Sequence, residues 1–255
     1  MLPYLTGGGS LTYALNQSKQ SLPSLSTINA HRLEFNLITS TGLEDLEGDA
    51  HVNIESLFSP KSWGRAPTTR KKGHSLCLDE IAIEERPFYL KQKDQVGGPC
   101  REHTSHLNLA VGHTLDNILL AAESVMGECP TAHLAKEATV AAISALSRDG
   151  YYAKPVLISP TCKTVCTEDS VYIIEALLRA WKESPYGEAM HGPIWSVASD
   201  GDSKRRAALY KICMTHELSK EDPLYAILAP LAGLNKFTSK NGVTKDFDFK
   251  HLFKR

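Results

Sequence analysis

Ile194-Trp195-Ser196-Val197-Ala198-Ser199, followed at once by Asp200-Gly201-Asp202 and then by Ser203 to Met214, is the stretch on which the fold turns. Its first six residues form a short apolar, partly β-branched run of the kind that makes a buried strand. Gly201 lets the chain turn tightly, and Asp202 or Ser203 stands where it would cap a helix starting at about Lys204. Ala208, Leu209, Ile212 and Cys213 then supply that helix with a packing face. Upstream the alternation repeats. Pro155 to Ser159 is a second apolar run bounded by prolines, and Glu168 to Trp181 carries the helical stripe Val171, Ile174, Leu178 and Trp181, which Glu175, Arg179 and Lys182 mostly avoid. Strand, helix, strand, helix in succession predicts an α/β layer arrangement.

Further from this stretch the pattern is less regular. Ser75 to Leu78 is an apolar run ending at Asp79, and Ile81, Ile83 and Phe88 to Leu90 offer a neighbouring antiparallel strand. Gly97, Gly98 and Pro99 mark a loop, and Asn108 to Val111 a further strand. Two more helices are expected. One runs from about Thr114 to Met126 and stops at Gly127; the other follows Pro130, is capped by Thr131, repeats Leu134, Ala138, Ala141 and Ala145 at helical spacing, and ends at Asp149-Gly150. Phe247 and Phe249 alternate with Asp246, Asp248 and Lys250 as in an edge strand. Residues 1 to 72 read as loosely built. They hold Gly7 to Gly9, a polar stretch to Ser26, a candidate strand in His31 to Thr41, and the basic segment Arg65, Arg70, Lys71 and Lys72.

Of 255 residues, 42% are hydrophobic and 22% charged, which supports a packed core and excludes wholesale disorder. Lys plus Arg number 28 against 29 Asp plus Glu, so a uniformly basic nucleic-acid binder is excluded while a local basic patch is not. No apolar run is long enough to span a membrane, and no basic segment precedes a long apolar one at the N-terminus. The six scattered cysteines therefore read as reduced thiols of an intracellular protein.

Asp79 and Asp200 are the leading candidates for chemistry, because each closes a predicted strand. A carboxylate there costs desolvation energy unless it is paired, hydrogen-bonded or bound to a cation. On neighbouring strands the two would converge on one Mg²⁺, and with a third acid on a pair of ions suited to phosphoryl displacement. The structural alternative makes Asp79 a turn residue and Asp200 a helix cap. Lys204, Arg205 and Arg206 sit at a helix start, where the dipole disfavours cations; a phosphate ligand or a solvated first turn would each account for them. Cys162, Cys166 and His191 are ligand types for zinc, but their spacing matches no common knuckle and a fourth ligand is not evident. His103 and His106 would face each other only in a helix. Gly7 to Gly9 lacks the Lys-Ser/Thr of a phosphate loop, and no nucleophile elbow is present.

Ser75-Leu76-Cys77-Leu78-Asp79-Glu80-Ile81, Val197-Ala198-Ser199-Asp200-Gly201 and Asp248-Phe249-Lys250-His251-Leu252-Phe253-Lys254-Arg255 occur in an order that resembles the ribonuclease-H-like core of DDE-type transposases. The likeness is to the P-element and THAP-associated group and its uncharacterised fungal, transposon-derived relatives. In that family a Leu-Asp-Glu stretch supplies the first catalytic aspartate and a Ser-Asp-Gly stretch the second. The resemblance covers about residues 75 to 255. It implies an incomplete ribonuclease-H-like mixed sheet with flanking helices over 73–255, a helical insertion at 114–148, and a loose region at 1–72. It implies Asp79 and Asp200 as catalytic, Mg²⁺-binding residues, and Asp248, His251 and Lys254 as an associated motif. It also implies DNA as partner, a nuclear location, and no membrane association. The family's catalytic glutamate lies beyond the Asp-x-x-His segment, and this sequence reaches Arg255 first. The expectation is thus a catalytically incomplete DNA-processing fragment, or one needing a second polypeptide to supply the missing carboxylate. The alternatives are a non-enzymatic protein- or nucleic-acid-binding domain on the same scaffold, and a gene-model fragment without independent function.

Overall fold

Among the described residues, most apolar alternation becomes strand and most apolar stripes become helix, and the largest departure lies in the middle of the chain. The computed structural model describes residues 37–63, 71–112, 115–148, 152–222 and 225–248. Its main elements are helix α1 (Leu46–Phe58), strands β1 (His74–Ala82), β2 (Phe88–Leu90) and β3 (Gln95–Gly97), a 3₁₀ turn at Arg101–His103, and helix α2 (Asp116–Met126). Then follow β4 (Glu137–Ala145), β5 (Ala153–Thr161), α3 (Thr167–Glu183), β6 (Ile194–Ser199), α4 (Ser203–Cys213) and β7 (Thr244–Phe247). By internal contacts Ile38–Arg255 is one unit and Met1–Leu37 another; of the latter only Leu37 is among the described residues.

Five strands make one mixed sheet in the order β5-β4-β1-β6-β7. β4 runs antiparallel to β1 and β5, while β6 runs parallel to β1 and β7. This is the mixed α/β sheet with flanking helices that the sequence predicts. Leu76, Leu78, Ala141, Ile143, Leu157 and Val197 are almost wholly buried and share one sheet face by register. α1, α3 and α4 pack side by side, α1 also against β5. Phe58 and Trp181 meet edge to face at 4.9 Å, and the Trp181 indole donates to Gly192 O at 2.9 Å, satisfying its one polar atom in the core. On the opposite sheet face the alternate residues are less covered: Cys77 is half-buried, Asp79 is exposed and Ile81 is 50% exposed.

The largest departure is Glu137–Ala145. The sequence predicts a helix here, part of an insertion at 114–148, and only α2 of that pair exists. β4 instead lies between β1 and β5, paired with β1 along its whole length and with β5 from Glu137 to Ser144 across a register shift at Ala141/Ala142. Its alanines recur at a spacing that fits a helix, but Thr139, Val140 and Ile143 are β-branched, and small residues let two neighbours close on both faces. Tertiary pairing overrides a weak local preference. The first hairpin differs too: Ile81 continues β1, and β2 pairs with β3. Asn108 to Val111 forms only an isolated bridge, Gln95 with Ala110. Within the stretch expected to be loose, α1 is a buried helix. Asn53 on it holds Ile38 through both amide atoms and donates to Val156 O at 3.1 Å. The candidate strand in His31 to Thr41 lies mostly outside the described residues, as does the basic stretch at Arg65 and Arg70.

Candidate functional site: an acidic cleft at the strand ends

Parallel pairing of β1 with β6 sets Leu78 against Ser199, so the residues that follow are Asp79, still in β1, and Asp200, just past the end of β6. The structure therefore brings the two aspartates together, with Glu80 beside them. A carboxylate oxygen from each lies within 4.8 Å of the others. Asp79 stands inside β1 rather than at its end, because the strand continues to Ala82. Its Oδ1 accepts the Glu80 backbone N–H at 2.9 Å. Asp200 Oδ1 accepts from Ser199 Oγ at 3.1 Å and from the Asp202 N–H at 3.2 Å, across a turn that Gly201 makes with φ of 82°. The cap of α4 is Asp202, which accepts from the N–H groups of Lys204 and Arg205 at 2.9 and 3.4 Å. Asp200 is thus not the cap.

Of the three cations at the start of α4, Arg205 turns inward. It is 8% exposed, ion-paired with Glu80, and donates to Leu78 O at 3.2 Å and Ser199 Oγ at 3.4 Å. The same guanidinium lies 3.8 Å from Asp200 Oδ1. Burial lowers its pKa from the usual arginine value, and the charge of Asp79 opposes that shift. Glu80 also accepts from Thr139 Oγ1 at 3.3 Å. Glu80 is consequently engaged; Asp200 lines the cleft beside it, whereas Asp79 is exposed on the opposite sheet face and is not among the residues that wall the cleft. Sequence reading grouped Arg205 with its neighbours because only tertiary packing distinguishes the inward side chain.

A cleft of about 250 Å³ opens beside these groups, walled by Arg101, Thr139, Lys163, Lys204 and Arg205 among others. Lys163 pairs with Glu137 at 2.7 Å, and Lys204 donates to Lys163 O at 3.1 Å. Basic side chains thus rim an acidic centre. That combination suits a metal-bridged phosphate: hard oxygens for the cation and ammonium groups for the anion.

Asp248 follows β7, and its N–H donates to Ser199 O at 3.0 Å, which brings that backbone beside the end of β6. Its associates in the predicted motif, His251 and Lys254, lie outside the described residues. The zinc set suggested by sequence is not assembled. Cys166 caps α3 in a reciprocal capping box with Asp169, and His191 Nε2 lies 3.0 Å from Phe58 O. Cys162 sits instead with Cys100, His103 and His133.

No protein-family model matches the chain, and no curated protein matches it. Among solved structures it is similar to the Drosophila P element transposase strand transfer complex, with 13% sequence identity and a TM-score of 0.35 over 84% of this chain. The match spans 34% of that chain, so the present sequence covers about a third of its length.

Proposed function

We propose that this chain is a transposon-derived, ribonuclease-H-like DNA-processing domain of the P-element and THAP-associated type, in which Asp79 and Asp200 are the catalytic carboxylates. One observation carries the reading: two aspartates distant in sequence each follow a residue of the register pair Leu78–Ser199 on parallel strands, with carboxylate oxygens within 4.8 Å of one another, beside a lysine-rimmed cleft that Asp200 lines. Their oxygens fit a hard divalent cation such as Mg²⁺, which when bound would polarise a phosphodiester and lower the pKa of an attacking water. Asp79 and Asp200 would hold the cation, and Lys163 and Lys204 would position the DNA backbone by charge. Asp248, His251 and Lys254 would form an associated segment beside β6. Such a partner implies a nuclear protein.

The same geometry argues that the domain is catalytically incomplete as it stands. Two-ion displacement needs a full set of supporting carboxylates held to within about 0.5 Å. The third carboxylate in this cluster is Glu80, and Arg205 already neutralises it. A further acid from another segment or polypeptide would complete the site, approaching over the less covered sheet face where Asp79 and Ile81 are exposed.

A second reading has its own observation. Arg205 can serve as the cation of the cluster, leaving the fold a non-enzymatic scaffold that binds protein or nucleic acid. Calorimetric titration with Mg²⁺ separates the two. Binding that disappears in both Asp79→Asn and Asp200→Asn supports the first, and absence of binding to the unmodified chain sinks it. Nicking of labelled DNA in Mg²⁺ or Mn²⁺ should be at background for the chain alone; turnover abolished by Asp79→Asn would overturn the claim of incompleteness.

A further inference from the structure

Cys100, His103, His133 and Cys162 come from three separate loops and converge, so that one sulfur or ring nitrogen of each lies within 4.8 Å of the others. Cys100 Sγ is 3.2 Å and Cys162 Sγ 3.6 Å from His103 Nδ1, and the rings of His103 and His133 meet at 74° with centroids 4.6 Å apart. We infer that these four side chains form a structural zinc site, sharing no ligand with the acidic cluster of Asp79, Glu80 and Asp200.

Two thiolates and two imidazoles are the ligand set that selects zinc over hard cations. Ligation at about 2.3 Å to sulfur and about 2.0 Å to nitrogen makes the edges of a tetrahedron roughly 3.3 to 3.8 Å long, close to the 3.2 and 3.6 Å from His103 Nδ1 to the two sulfurs. The backbone is built to hold this arrangement. Cys100 caps the 3₁₀ turn Arg101–His103, and with three residues per turn the side chains at i and i+3 eclipse. Gly98, at φ of 111°, turns the preceding chain where a Cβ would strike Arg86 O. Cys100 N–H donates to His133 O at 2.8 Å and Ala135 N–H to Gly98 O at 2.9 Å, stapling the first two ligand loops together. Glu102 accepts the Cys162 N–H at 3.2 Å and the Thr161 hydroxyl, which ties in the third. Four protein ligands leave no open coordination position, which is the signature of a structural rather than a catalytic ion.

The site would brace the cleft. Arg101, between two of the ligands, is 4% exposed and donates to Thr139 Oγ1 and to Ser159 O, both at 3.0 Å. Thr139 Oγ1 in turn donates to Glu80. Zinc would therefore fix the start of β4 and the end of β5, which form one wall of the acidic cleft.

Elemental analysis of the full chain, purified from zinc-supplemented medium without added chelator, tests this directly. One zinc per chain is expected. Cobalt(II) added to the stripped chain should give the visible ligand-field and thiolate charge-transfer bands of tetrahedral S₂N₂ coordination. Cys100→Ser and Cys162→Ser should lose both the zinc and the bands, while Cys129→Ser, an exposed cysteine outside the cluster, keeps them. Should the cysteine variants fail to fold, His133→Asn decides, since His133 is exposed. Its zinc affinity should fall by more than the roughly 10-fold to 100-fold that loss of an outer-shell group costs. A metal-free chain that takes up no cobalt, a Cys100–Cys162 disulfide in the protein purified under reductant, or full affinity in His133→Asn would each overturn the proposal.

Discussion

The acidic cleft and the Cys/His cluster share one end of the sheet, joined through Thr139 and Arg101, yet they answer the cost of clustered ligands in opposite ways. In the cleft a buried guanidinium from α4 supplies positive charge to Glu80 and approaches Asp200, so the acids are partly satisfied within the fold. In the Cys/His cluster the neighbouring cation, Arg101, spends its bonds on Thr139 and Ser159 instead of on the sulfurs. A site with its own cation tolerates an empty state; a site of soft ligands from three loops has its geometry explained by a metal. Proximity of ligand atoms therefore does not by itself say how firmly a site depends on an ion.

The sharpest way to break this contrast is to remove the internal cation. Arg205→Ala should destabilise the fold by about 3 kcal/mol in urea titrations, because the Glu80 carboxylate is left without its partner. If the cluster is a cation site, saturating Mg²⁺ should restore part of that loss by binding the native state. Recovery in the variant together with a smaller effect on the unmodified chain would sharpen the comparison, and no recovery would end it.

Acid offers a control from the far end of β1. Burial first, then the charge of His191, pushes the His74 imidazole down to about 4, against an ordinary value of 6.5. The unfolded chain then binds more protons than the native one between those two values. Stability contributed by neutral His74 is present above pH 6.5 and is lost as pH falls toward 4. Urea midpoints measured at pH 7 and pH 5 should drop accordingly, and His74→Gln should flatten the change; an equal drop in that variant would assign it elsewhere.

Smaller effects separate the neighbouring aspartates. Asp202→Ala removes the cap of α4 and should cost about 1 kcal/mol without abolishing Mg²⁺ binding. Asp79→Asn, at an exposed position, should change stability by no more than about 0.5 kcal/mol while removing Mg²⁺ binding. The reverse pattern would make Asp79 the structural residue.

How much of this was legible depended on how local the signal is. β6, the Asp200-Gly201-Asp202 turn and α4 fall where the sequence puts them, since apolar run, glycine and cap lie within a few residues of one another. The stripe expected on α3 is displaced by about one position: Ile173, Ile174, Leu177 and Trp181 are buried, while Val171 and Leu178 are only half so. β4 is not legible in the sequence, because its alanines suit both a helix and a strand closed between two others. The sequence marks Cys162 as a ligand type beside Cys166 and His191, whereas the fold sets it with Cys100, His103 and His133. Cys100-x-x-His103 carries a usable spacing, but nothing in the letters ties it to His133 or Cys162.

Sequence alone determined the α/β class, the strand-to-helix turn at Asp200, and the identity of the two aspartates that the fold brings together, because propensity, turn chemistry and capping act over a few residues. Tertiary structure decided that β1 and β6 are parallel neighbours, that Arg205 rather than Lys204 or Arg206 enters the acidic centre, and that four soft ligands meet. Those outcomes depend on strand register and on which helix face meets the sheet, and both are set by burial summed over the whole core.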